Sequence, residues 1–161
     1  MSVYTPVSHD ELQTFLRRYD VGALREHRGI RAGIENTNYF VTTEHRRLVL
    51  TLFEKHTPDE LTYFLELMAH LAKHGLPSPQ PVAACNGTYL QTLNARPAAL
   101  VQRLRGASPE SPNEAQCHAI GDALARLHLA GASFPGHRDN DRGPHWWHEI
   151  SKRLLPLLSQ E

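Results

Sequence analysis

The sequence predicts an α+β fold: an antiparallel sheet with one accompanying helix, followed by a mostly helical segment. Three observations carry this prediction. Between residues 23 and 54, β-branched and aromatic residues are punctuated by Gly29, Gly33 and a polar turn at 43–46. From Thr57 to Gly75, Leu61, Phe64, Leu65, Met68, Leu71 and Ala72 recur at helical spacing. Beyond Gly106 the strand pattern stops, and two amphipathic segments follow a polar break.

The elements can be justified in order. Residues 8–19 open with Ser8 and Glu11 at capping-box spacing, where each side chain satisfies a free backbone N–H of the first turn. Leu12, Phe15 and Leu16 share one face, so this is a short amphipathic helix. Three antiparallel strands follow, over residues 23–30, 38–42 and 47–53. The second helix starts at Thr57, with Pro58 in its first turn and Glu60 completing another capping box. Gly75 supplies a left-handed cap, and Pro77, Pro79 and Pro81 forbid continuation. Asn86-Gly87 is a strong hairpin signal, so residues 81–85 and 88–92 are expected to pair across it. Residues 98–104 form a further strand. A third helix covers residues 114–130, with Cys117, Ile120, Leu124 and Leu127 as its apolar stripe. A fourth begins near Pro144 and is still running at Leu158.

Composition narrows the class. A chain of 161 residues can bury one full core and only part of a second. Lys+Arg and Asp+Glu both number 17, so no net charge draws the protein to nucleic acid or to an anionic membrane. No apolar run is long enough to span a bilayer, and the opening run MSVYTPVSHDEL lacks the apolar stretch of a secretory signal. A cytoplasmic protein is expected. Cys85 and Cys117 form no disulfide framework and read as free, buried thiols. His137, His145 and His148 lie close in sequence but lack metal-ligand spacing, so no metal site is assigned to them.

Five segments in register carry a family resemblance. They are Gly33-Ile34-Glu35-Asn36-Thr37-Asn38-Tyr39-Phe40-Val41, Val49-Leu50-Thr51-Leu52-Phe53-Glu54, Leu76-Pro77-Ser78-Pro79-Gln80-Pro81-Val82, the run 97–106 and Ile120-Gly121-Asp122-Ala123-Leu124-Ala125-Arg126-Leu127-His128. With Arg142-Gly143-Pro144-His145-Trp146-Trp147 they span nearly the whole chain, which resembles homoserine kinases of the aminoglycoside-phosphotransferase-like, protein-kinase-like type. The resemblance implies a nucleotide-binding small lobe with its hinge over residues 1–104. Residues 105–161 would then be the start of a helical large lobe, interrupted before the catalytic loop. It also implies ATP and Mg²⁺ as cofactors and L-homoserine as the acceptor.

The residues can be weighed against that implication. A loop between two strands can lie over a triphosphate and offer it backbone N–H groups where small residues allow close approach. Gly33 allows it, Ile34 is a candidate apolar wall, and Asn36, Thr37 and Asn38 lie in the loop, with Asn36 and Thr37 able to donate to phosphate oxygens. Taken alone, the same run is also an ordinary Asn-rich hairpin turn. On the next strand Val49 is a second apolar wall. Thr51 stands where kinase-like folds place a Lys or Arg paired with a Glu on the following helix. The facing helix position is Phe64, so both partners of that ion pair are replaced, which avoids leaving one buried charge alone. Lys55 and Glu60 are either substitutes for the pair or a solvated lysine and a helix-cap carboxylate. In the hinge, Gln102, Arg103 and Leu104 would read adenine through their backbone. His128 reads as a buried side chain bonded to a nearby carbonyl.

Phosphoryl transfer to an alcohol needs an Asp that accepts the hydroxyl proton, and an Asn and a second Asp that hold Mg²⁺. No stretch of this chain has that spacing. Asp122 falls mid-helix, and Asp139-Asn140-Asp141 lies in a short loop. Two classes of function follow. One is a homoserine kinase represented by its amino-terminal portion, with methylthioribose, choline and aminoglycoside kinases as rivals. The other is a non-catalytic nucleotide-binding remnant or half of a split kinase. Exposed stripes on the last two helices would favour self-association.

Overall fold

The computed structural model describes residues 4–158. The elements are α1 (His9–Leu16), β1 (Leu24–Gly29), β2 (Asn36–Thr43), β3 (Arg47–Phe53), α2 (Pro58–Lys73), β4 (Gln91–Leu93), β5 (Arg96–Gln102), α3 (Glu114–Gly131) and α4 (Pro144–Leu154). The strands form one antiparallel sheet in the order β1-β2-β3-β5-β4. The α+β class and the element order are as the sequence predicts.

The sheet has two chemically different faces because side chains alternate along each strand. On β2, Thr37, Tyr39, Val41 and Thr43 are buried, while Asn36, Asn38, Phe40 and Thr42 are half-buried on the other side. On β3, Leu48, Leu50 and Leu52 are buried, and Val49, Thr51 and Phe53 alternate with them. The buried set joins Leu12, Phe15 and Leu16 of α1, with Ala98 and Leu100 of β5, in one hydrophobic core. α1 is held over that face by the expected capping box, Ser8 Oγ accepting from Glu11 N and Glu11 Oε2 from Ser8 N. Tyr39 adds a polar clamp, its hydroxyl accepting from Val7 N at 3.0 Å.

Residues 97–102 sit well inside the sheet, but the expected Asn86-Gly87 hairpin does not form a ladder. Gly87 does turn the chain, with φ +84° and its N–H donating to Ala84 O. The flanks share one bond across the turn, Ala84 N to Thr88 O at 2.9 Å, and are otherwise committed elsewhere: Val82 N donates to Leu100 O, Cys85 N to Arg18 O, and Pro81 has no N–H to give. Only an isolated bridge, Pro81 to Val101, remains of the first arm. The hairpin lies one turn later, between β4 and β5, around Asn94 and Ala95 at φ 49° and 58°. Two left-handed central residues give the twist that a tight hairpin prefers, and Asn tolerates that conformation well.

The helices end where their chemistry dictates. Gly75 takes φ +73° after α2, and Leu76 N reaches back to Leu71 O, so the expected left-handed cap is present. α4 stops at Leu154, and a 3-10 turn over Leu155–Leu157 replaces the expected continuation to Leu158. Pro156 lacks the N–H that a further α-turn requires. Neither α3 nor α4 buries any residue. The stripe Ile120, Leu124 and Leu127 is open to solvent, as is Cys117, and Cys85 is exposed too, so the expectation of buried thiols is corrected. No helix among the described residues is long and apolar enough to cross a membrane.

Candidate functional site

The sheet face opposite the core is built in rows. Strand pairing sets Arg28, Phe40, Val49 and Val101 side by side. The next row holds Asn38, Thr51 and Ala99, and beyond it stand Asn36 and Phe53. Toward the other end lie Thr42 and Arg47, with Arg103 bonded through its N–H to Arg47 O. This gives an apolar strip with amide and hydroxyl groups at one end and guanidinium groups at the other.

Asn38, Val49 and Thr51, all named as candidates from the sequence, therefore share one face. Thr51 Oγ1 donates to Asn38 Oδ1 at 2.8 Å, so the hydroxyl that replaces the usual cation is paired with a neutral amide. Asn36 stands in the next row, its Oδ1 buried without a partner among the described residues. Thr37 is not with them. It is fully buried on the core side, where its Oγ1 accepts from Tyr4 N and Thr5 N and donates to Glu54 Oε1 at 2.7 Å. Glu54 in turn holds Arg96, with Nε to Oε2 at 3.1 Å. Thr37 thus ties the start of β2 to the end of β3, and its hydroxyl is not free for a phosphate.

The loop before β2 is shorter than expected, because the strand already begins at Asn36. Gly33 sits in it at φ +109°, in the left-handed half of conformational space. Ile34 is 83% exposed and packs against nothing as a wall, although its carbonyl accepts from Tyr4 Oη at 3.0 Å. Phe40, which sequence reasoning missed, lies on the strip instead, aligned between Arg28 and Val49. Its period-two spacing from Asn38 was the available signal.

At the hinge, Gln102 N donates to Gln80 O at 2.8 Å and Arg103 N to Arg47 O at 3.1 Å, so both N–H groups are committed inside the fold. The Leu104 N–H meets no acceptor among the described residues, and the Leu104 side chain is half-exposed. Arg103 and Leu104 also line an open cleft of about 950 Å³ that runs to the β2–β3 turn, beside Arg47 and Gln80.

Glu60 and Lys55 do not reach this face as a substitute ion pair. Lys55 is exposed. Glu60 accepts from Thr57 N and Thr57 Oγ1, both at 3.0 Å, and from Arg138 Nη2 at 3.2 Å. These contacts hold its carboxyl down to about 2 from 4.5, the Thr57 backbone N–H contributing most, then the Thr57 hydroxyl, then Arg138, with His56 adding a smaller pull. Arg138 also pairs with Asp141 and lies 5.1 Å from the Phe64 ring centroid, so the loop after α3 is fastened to the start of α2. A depressed carboxyl adds stability above its ordinary pKa and loses it below. The first turn of α2 should therefore lose protection, measured as the ratio of intrinsic to observed amide exchange at each pH, as pH falls from 4.5 toward about 2. Glu60→Gln should keep the cap but abolish that dependence, as read by hydrogen exchange of residues 57–61.

His128 is exposed rather than buried against a carbonyl. His70 fills that role instead, its Nε2 lying 2.9 Å from Ala130 O and 3.2 Å from Ser133 Oγ. Among the described residues no three His, Cys, Asp or Glu side chains gather into a metal site.

Comparison with known proteins gives the family and the fold. Residues 26–161 match the model of the phosphotransferase enzyme family. The chain is 49% identical over its whole length to the homoserine kinase of Methylobacillus flagellatus, of which it covers 50%. It is 46% identical to that of Cupriavidus pinatubonensis, with the same coverage of both chains. The chain thus spans about half the length of the curated relatives it matches. Among solved structures, spectinomycin phosphotransferase in complex with ADP and spectinomycin superposes with a TM-score of 0.71 at 17% identity, over 98% of this chain and 49% of that one. The protein-kinase-like fold is shared at that distance, and the match over residues 26–161 settles the family: this chain belongs to the phosphotransferase enzymes.

Proposed function

We propose that this chain serves ATP-dependent phosphorylation of the homoserine hydroxyl and contributes the small-lobe side of the nucleotide site. Residues 1–104 act as that lobe with its hinge, and residues 105–161 begin a helical large lobe. The observation that carries the reading is the apolar strip Phe40–Val49–Val101, which lies between the paired Asn38 and Thr51 and a Leu104 N–H without an acceptor among the described residues. Adenine lies along the strip with its edge at the hinge, where the Leu104 N–H offers the donor. The phosphates lie toward Gly33, Asn36 and Asn38, where backbone and amide donors replace a fixed cation. The identity to homoserine kinases over the full chain supports homoserine as acceptor over methylthioribose, choline or an aminoglycoside.

The amides and hydroxyls of this face suit phosphate oxygens and do not suit Mg²⁺, which takes carboxylate and water oxygens. The metal, when it accompanies the nucleotide, is therefore held by groups other than these. A cytoplasmic site of action fits the reading, as does self-association of the chain through the open faces of α3 and α4.

Titration calorimetry with a non-hydrolysable ATP analogue tests the proposal, with Gly33→Val as the informative variant. A Cβ at Gly33 would meet only Asn38 Nδ2, at 3.7 Å, so the substitution brings no clash. Its effect comes from forcing a β-branched residue to φ +109°. Strain of that kind costs roughly 1–3 kcal/mol, so affinity should fall about ten-fold or more if the loop covers the phosphates. Binding that Gly33→Val leaves unchanged would remove the loop from the site.

A further inference from the structure

Arg103 lies with its guanidinium carbon 3.9 Å from the Phe40 ring centroid. Arg28 reaches the same ring from 5.8 Å. No carboxylate meets the Arg103 guanidinium among the described residues, so Phe40 is the partner that holds the side chain in place. Its backbone is anchored independently, through the Arg47 carbonyl. A guanidinium and a purine ring are both flat, and both stack on an aromatic face. Where one lies against Phe40, the other cannot.

We infer that Arg103 determines ligand specificity at this face by occupying the Phe40 ring until a planar base displaces it. The inference rests on the nucleotide reading proposed above. Displacement is sterically open, because Arg103 also lines the cleft of about 950 Å³ beside Gln80, Leu104 and Gly106, which gives the side chain room to swing away. A ligand with an aromatic base recovers the stacking that the guanidinium gives up. A ligand with phosphates alone gains nothing by moving Arg103. Arg103 thus weakens the binding of base-bearing ligands relative to inorganic polyphosphates, which leave the stack undisturbed.

The test measures affinities of the 161-residue chain for ATP and for inorganic tripolyphosphate, with Arg103→Ala, Arg103→Lys, Phe40→Leu and the double variant Phe40→Leu/Arg103→Ala. An exposed cation–π stack is worth a small factor, so Arg103→Ala should bind ATP about two- to five-fold tighter. Arg103→Lys should behave in the same direction, because an ammonium keeps the charge but lacks the flat surface. Tripolyphosphate affinity should not change with Arg103→Lys. In the Phe40→Leu background, Arg103→Ala should have no effect on ATP, since the ring that coupled them is gone. Unchanged ATP affinity in both Arg103 variants overturns the inference while leaving the nucleotide reading intact. Weaker ATP binding overturns it too, and makes Arg103 a clamp on the base. An equal change for ATP and tripolyphosphate reduces the effect to charge and likewise overturns it. Absence of ATP binding in every variant, with intact folding by circular dichroism, brings down the nucleotide reading and the inference together.

Discussion

Incubated with homoserine and MgATP, the 161-residue chain is expected to release no homoserine-dependent ADP above background. Phosphoryl transfer is accelerated almost entirely by positioning and by stabilising developing charge. The candidate face supplies amides, a hydroxyl and apolar surface, but no carboxylate that could take a proton or hold a metal. The acidic residues weighed for those roles are occupied or remote. Asp141 is paired with Arg138, Asp139 lies 3.1 Å from His137 Nε2, and Asp122 is exposed on α3. Groups that act as a unit in catalysis are lost far more than additively when some are missing. A coupled ADP-release assay decides the matter. Turnover near the kinase range of roughly 1–100 s⁻¹ would place the chemistry on residues described here as structural, with Asp139, Asp141 and His128 first in line. Turnover that appears only when a segment bearing His-Gly-Asp and Ile-Asp motifs is added would support the split arrangement.

Leu50→Ala is expected to lower the unfolding free energy by about 2–5 kcal/mol. Leu50 is fully buried in the middle of β3, flanked by Tyr39 and Leu100 in the register and roofed by α1. Removing its branched end leaves a cavity in a core that cannot recruit α3 or α4, since those helices bury nothing. For a domain of this size that is a large fraction of total stability. Leu124→Ala provides the contrast. Leu124 is 50% exposed, and its truncation should stay within about 0.5 kcal/mol. Urea denaturation of the two variants should show a lowered midpoint at constant slope for the first and an unmoved curve for the second. Equal losses would mean that α3 packs on the sheet in solution.

The fold was readable because its signals are periodic and local. Ser8 with Glu11, Thr57 with Glu60 and Gly75 mark helix ends by chemistry that acts within one turn, and each marks an end in the structure. What was not readable depends on competition between segments. Asn86-Gly87 makes a turn, but the arm before it is claimed by Leu100, Arg18 and the missing N–H of Pro81, the arm after it pairs with β5, and the ladder moves to a turn carrying Ala95, which no propensity would select. The candidate site divides in the same way. Asn38, Val49 and Thr51 follow from the strand register. Thr37 does not, because three consecutive strand residues cannot share a face. The extra residues Asn36 and Thr37 joined β2, so Thr37 turned to the core, where it is held by Glu54. Phe40 was legible from that same alternation once the strand start was known. The exchange of His128 for His70 as the carbonyl-bonded histidine reflects tertiary contact between α2 and the end of α3, which sequence spacing does not encode.

The pairing of Thr51 with Asn38 also bears on how the protein answers its surroundings. A lysine–glutamate pair beneath a triphosphate makes the grip on nucleotide sensitive to ionic strength, because dissolved ions screen the lysine and compete for it. A hydroxyl bonded to a carboxamide carries no charge to screen and does not titrate across the ordinary range of pH. Under the proposed nucleotide reading, the pull on the phosphates from this part of the sheet comes from dipoles at short range. Added potassium chloride should weaken nucleotide binding less steeply than in a kinase that keeps its lysine, and the residual salt dependence should trace to Arg28 in the Phe40 row and to Arg47 and Arg103 at the opposite end of the strip.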